Sequence, residues 1–210
     1  MSARGESIQR ASARLQGITA LVTDVDADMG RAIALALAHE GADVRLIHHI
    51  SDTEQIHRVA QGLDRFDVLV TNTAFEWRRG LADTDDITAL ERAFRTSIEA
   101  AFTVSEAMAA RIRDGGAIIL TAPMRHAQPI EPVRALVAAA HGISSLTASL
   151  AQRLASRKIR VNTIVPGERA TPEAIAPIHI FLASPTESAL VNGITLDATD
   201  GPPPPLPSLK

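Results

Sequence analysis

A chain of 210 residues, 46% hydrophobic and 21% charged, is long enough for one domain with a sizeable core, and its net charge of −3 excludes the basic footprint of a nucleic-acid surface. It has no cysteine, which excludes disulfides, a thiol nucleophile and a cysteine zinc site, and no tyrosine, which excludes any mechanism that needs a phenol. No apolar run approaches the ~18 residues of a membrane helix, and the leading MSARGESIQRASARLQ lacks the apolar centre of a signal peptide, so the cytoplasm is the expected location.

Residues 1–16 read as a polar arm, followed by a domain over 17–200 and a proline-rich, extended tail over 201–210. Ile18 to Val22 is a short apolar run with β-branched members, which suits a strand buried on both faces. From Met29 the period becomes helical, with Met29, Ile33 and Leu37 on one face and Gly41 as the C′ residue. Ala42 to Ile47 is the next strand, which completes a βαβ unit with a right-handed crossover. Ser51 or Asp52 caps a helix running to about Arg65, with Ile56, Val59, Ala60 and Leu63 inward. Asp67 to Thr71 is a third strand, and a loop with Phe75, Trp77, Arg78 and Arg79 follows.

Asp86 opens a long helix to about Arg113, on which Leu90, Phe94, Ser97 or Ile98, Ala101, Val104, Met108 and Ile112 recur at spacings of three and four. Gly115-Gly116 ends it, and Ala117 to Leu120 is a fourth strand. After a loop with three prolines, a second long helix runs from Val133 to Arg157. Ile159 to Val165 is a fifth strand, Pro172 to Leu182 a short helix and Leu190 to Leu196 a sixth strand. Strands alternating with helices predict an α/β fold, Rossmann-like and doubly wound, with a mainly parallel sheet of about six strands flanked by helices.

The turn after the first strand is the place where such a fold binds a diphosphate, through small residues and the free N-terminus of a helix. Here it carries Asp24, Asp26 and Asp28, with Gly30 the one glycine left. Each like-charge contact at ~4 Å and an effective dielectric of ~20 costs roughly 4 kcal/mol before screening. The helix dipole returns only about 0.3–1 kcal/mol, so repulsion wins. Asp26 or Asp28 reads as the cap of the helix. The alternation of carboxylates also hints at a cation site, but the spacing is not that of an EF-hand.

Taken together, the stretches GITALVTDVDADMGRAIALALAHEGADV, DVLVTNTA, GGAIILTAP, GISSLTASLAQRLASRKIRVNTIVPG and FLASPTESALVNGITLDATDG resemble the short-chain dehydrogenase/reductase family. The family's glycine-rich turn aligns with Thr23 to Gly30, where Asp24 and Asp28 replace glycines. Its N-N-A-G segment aligns with Asn72 to Phe75, which puts a phenyl ring in place of the last glycine. Its helix asparagine aligns with Ser97, its catalytic serine with Ala122 or Pro123, and its tyrosine and lysine with Leu136 and Ala140. None of these aligned apolar side chains can donate a proton. Against the family, the chain also lacks a strand between Ile47 and Asp67 and the substrate-covering lid between Gly167 and Pro172, so it is shortened. Apolar residues at Leu136 and Ala140 spare a vacated site about 1–3 kcal/mol for each buried, unpartnered polar group.

The resemblance therefore implies a subunit without catalytic residues, with no NAD or NADP on this chain and the nucleotide carried by an active partner of the same family. That family associates through its two long helices, which here carry Ala93, Ala100, Ala101, Ala107, Ala138, Ala139 and Ser144 for close packing. Self-association through the same face is the other expectation, with no nucleic-acid or membrane partner. A cofactor-independent enzyme, such as a lyase, isomerase or relative of the halohydrin dehalogenases, is the alternative, and a small-ligand sensor or scaffold is a third reading. For the enzyme reading the residues to watch are Arg125, His126 and His141, with Arg78, Arg79 and Arg134 as further anion-binding candidates. His48 and His49 are adjacent and face opposite ways on a strand, which argues against a shared metal.

Overall fold

A computed structural model describes residues 13–48, 53–72, 87–122, 134–167 and 170–198; the side chains of residues 53, 89, 92 and 134–136 lie outside that description. Its centre is a six-stranded sheet in the order β2-β1-β3-β4-β5-β6, with every neighbouring pair parallel. The strands are β1 (Thr19–Thr23), β2 (Asp43–Ile47), β3 (Phe66–Thr71), β4 (Ile112–Thr121), β5 (Arg160–Pro166) and β6 (Thr195–Ala198). The order reverses between β1 and β3, the doubly wound arrangement that opens a crevice at the carboxyl ends of those strands.

Helices cover both faces. On one face α1 (Asp28–His39) packs beside α6 (Pro172–Ala183) over a core with Leu15, Val22, Ile33, Leu37, Val70 and Ile119. On the other, α2 (Thr53–Gly62), α3 (Ile87–Ala93), a π-helical segment (Phe94–Glu99), α4 (Ala100–Ala109) and α5 (Arg134–Leu154) enclose Leu21, Leu69, Met108, Ile118, Ile143 and Leu150. Strands covered on both sides explain the near-continuous apolar runs of β1, β3 and β5. Gly41 takes φ +92°, and the bonds Ala42 N–H to Leu37 O and Gly41 N–H to Ala38 O close a Schellman turn after α1, as its sequence position predicts.

Several expectations need correction. The long helix expected over 86–113 is broken by the π-helical segment and ends at Ala109. β4 already begins at Ile112, so Gly115-Gly116 sits inside the strand, where its pairing with β3 shifts register between Phe66 and Val68. Gly115 at φ +84° absorbs that irregularity, which is why the glycine pair mimics a helix stop in the sequence. α2 ends at Gly62 and not near Arg65. The sixth strand starts at Thr195; Leu190 precedes it and is almost wholly exposed. Leu15, read as part of a polar arm, is fully buried in the α1 side of the core.

Candidate functional site

The crevice is built from the ends of β1, β2 and β3. Asp24 follows β1 in the left-handed region, at φ 54°, a conformation in which aspartate and asparagine are tolerated and glycine is usual. The backbone then doubles back so closely that a Cβ on Gly30 would lie 2.5 Å from the Asp24 carbonyl oxygen. The local shape of a phosphate-binding turn is therefore kept, while its side chains carry negative charge.

These charges are held by neighbours. The Asn72 N–H donates to Thr23 Oγ1 at 3.3 Å, Asn72 Nδ2 donates to the Thr23 carbonyl at 3.2 Å, and the Thr23 hydroxyl donates to Asp24 Oδ2 at 3.1 Å. That chain ties the ends of β1 and β3 together beneath the turn. Asn72 Oδ1 and Thr71 Oγ1 are buried at the same strand end without a partner among the described residues. His48, just beyond β2, donates Nδ1–H to Asp26 Oδ1 at 2.7 Å. This bond spans the gap between the turn and the end of β2, where the fold normally receives the nucleotide's ribose. Asp28 is the first residue of α1, and the cap position is Ala27, which has no side-chain acceptor. The expected carboxylate cap at that position is therefore absent, although a negative charge in the first turn still suits the dipole. Among the described residues no cluster of metal-ligating side chains forms.

Ser97, aligned with the family's helix asparagine, is buried inside the π-helical segment. Ala122 and Ala140 are also buried, so neither reaches solvent. Phe75 and Pro123 lie outside the described residues, as does the side chain of Leu136. Arg78, Arg79, Arg125, His126 and the Arg134 side chain, the anion-binding candidates of the sequence, lie outside the described residues as well. His141 is exposed, and its Nδ1–H donates to the Val137 carbonyl one turn back on α5.

One polar pair escaped the sequence reading. His179 on α6 is fully buried; its Nδ1–H donates to the Ile175 carbonyl at 3.2 Å and its Nε2 accepts from the Thr121 hydroxyl at 3.1 Å. Burial pushes its pKa down to about 4, so the ring is neutral at pH 7. The pair sits beside Ala122 in sequence but is sealed in the core, and its spacing of 58 residues leaves no local mark in the chain.

The helices α3, α4 and α5, through which the resemblance implies association, present a second feature. Phe94 and Phe102 are 42% and 49% exposed and line a groove of about 710 Å³ with Leu90, Ile98 and Leu146. The row of apolar spacings in the sequence includes Phe94, which here faces outward. The inward row is instead Ala93, Ser97, Ala101, Val104 and Met108. Ala93 and Ala139 meet inside the chain, between α3 and α5, so they do not belong to an outer surface.

A family profile described as enoyl-(acyl carrier protein) reductase matches residues 4–174. An oxidoreductase of Bacillus subtilis (strain 168) is 29% identical over 193 residues, which cover 78% of this chain and 67% of that protein. The NADPH-dependent aldehyde reductase 1, chloroplastic, of Arabidopsis thaliana is 26% identical over 197 residues, covering 77% of this chain and 68% of the plant protein. The solved short-chain dehydrogenase/reductase of Serratia marcescens BCRC 10948 has the same fold, with a TM-score of 0.76 at 24% identity over 89% of this chain and 97% of its own. Carrying the parallel sheet and switch-point crevice together with a matching profile over most of its length, this chain belongs to the short-chain dehydrogenase/reductase family.

Proposed function

We propose that the chain is a non-catalytic member of this family that pairs through the α3–α4 and α5 face with an active, NAD(P)-dependent member. The observation that carries the reading is the exposed apolar groove around Phe94 and Phe102, on the helices the family uses for association. An aromatic pair in a groove beside a charged rim of Glu91, Arg95 and Glu99 has the make-up of a protein-binding hot spot. The chemistry fits the same reading. With buried alanine at 122 and 140 and no tyrosine anywhere in the chain, no phenol stands ready to protonate a carbonyl substrate. The carboxylates of the β1–α1 turn and the His48–Asp26 bond across its mouth do not fit a diphosphate.

The test is isolation of the complex from the source cell and measurement of its native mass. The expected result is a hetero-oligomer containing a family member that retains the tyrosine and lysine. Recovery of this chain only alone or with itself rules the reading out.

A further inference from the structure

Among the described residues, β2 forms one edge of the sheet, where the resembled family has another strand. Among the described residues a single helix, α2, lies between β2 and β3, and β2 pairs with β1 alone. In a parallel ladder a residue's N–H and C=O point to the same side, and the side alternates along the strand. The Asp43 N–H donates inward to the Ile18 carbonyl at 2.8 Å, so Asp43, Arg45 and Ile47 bond toward β1. Val44 and Leu46 therefore direct their backbone groups away from the sheet. Leu46 is 52% exposed.

The side chains on this strand are self-complementary. Asp43 and Arg45 flank Val44 with opposite charges on one face. We propose that β2 pairs antiparallel with β2 of a second copy of this chain, about a two-fold axis through Val44. The two Val44 residues then exchange a pair of backbone bonds, and each Leu46 N–H donates to the Ala42 carbonyl of the other copy. Ala42's own N–H is already given to Leu37 O at 3.1 Å, so its carbonyl is the group that takes part. Asp43 faces Arg45 of the other copy twice, in the non-hydrogen-bonded positions where side chains approach most closely.

Neighbouring registers are worse. An axis through Arg45 sets the two guanidinium groups opposite each other. An axis through Leu46 sets Arg45 against Ile47 and leaves Asp43 outside the ladder. Arg45 is free to turn toward the second copy, because its contacts within the chain are loose, at 4.0 Å to Asp43 and 3.9 Å to the exposed Asp64. Charges on a short edge strand normally prevent indiscriminate pairing, and here they leave one register open.

The proposal is tested by exchanging charges at the two positions. Asp43→Arg and Arg45→Asp each set like charges opposite, and each alone is expected to weaken dimerisation about tenfold. An equimolar mixture of the two variants is expected to recover the dimer as a mixed pair, since one copy is then positive at both positions and the other negative. Native mass spectrometry separates that mixed pair from either homodimer, and circular dichroism checks that each variant is folded. Association through the Phe94–Phe102 face does not respond to these charges, so the outcome is independent of the heteromeric partner. Mixed pairs at no more than the statistical share, or a wild-type association unchanged by both single substitutions, overturns the proposal.

Discussion

At Gly30 and His179, single atoms decide what the fold tolerates. A methyl group on Gly30 would press on the backbone of Asp24 at 2.5 Å, and backbone cannot swing aside as a long side chain does. Gly30→Ala is expected to lower unfolding stability by about 1–3 kcal/mol in urea titrations, and a change within about 0.5 kcal/mol would mean the turn is looser than described. His179 sets a pH dependence. Its folded pKa lies at about 4, below the ordinary 6.5, so the unfolded chain binds the extra proton first as pH falls. Its contribution is present above pH 6.5 and is lost as pH drops from there toward 4. Between pH 7 and pH 5 this group alone is expected to remove about 2 kcal/mol, a loss that His179→Gln should flatten in denaturation curves measured at both pH values. The sequence alone identified the carboxylated turn, because charge and glycine content are local. It could not identify His179, whose environment is assembled from β4 and α6.

The elements were legible where their period was pure. β1, α1 with its terminal Gly41, α5 and β5 stand close to where apolar spacing puts them. The helix with Phe94 was misread because its spacing admits two faces. Ala93, Ser97 and Ala101 recur every four residues, and so do Phe94, Ile98 and Phe102. Periodicity cannot choose between them, and the larger residues look like the core. The π-helical turn adds a residue to the repeat without any sequence mark. The outward row carries a prediction. Phe94→Glu with Phe102→Glu should leave unfolding stability within about 0.5 kcal/mol of wild type, since both rings are exposed, while weakening capture of the active partner by at least about tenfold. Retained capture in a pull-down would move the association surface elsewhere. Inside, Thr147 on α5 meets Thr163 on β5 through a buried hydroxyl pair. Thr147→Val orphans the Thr163 hydroxyl and should cost about 1–3 kcal/mol by urea unfolding.

For the molecule as a whole, the fold family is shown, while the loss of its chemistry is what we propose. The order of elements survives across most of the chain, and a profile for the family still matches it. The nucleotide turn survives in backbone shape and not in charge. Titration with NADH and with NADPH, followed by nicotinamide fluorescence, should therefore show no saturable micromolar binding; saturation in that range would refute the electrostatic argument made for Asp24, Asp26 and Asp28.

Leu15 bears on where the independently stable unit starts. Its side chain is fully covered, its N–H donates to the Glu40 carbonyl at 2.9 Å, and its own carbonyl receives the Ile18 N–H at 3.0 Å. It therefore acts as a plug beneath the end of α1, ahead of the first strand. A protein trimmed to begin at Gly17 would open a void beneath the end of α1, whereas one trimmed to begin at Ala13 keeps the plug in place. Limited proteolysis should accordingly stall upstream of this leucine, and shortening past it should turn a well-behaved protein into an aggregating one.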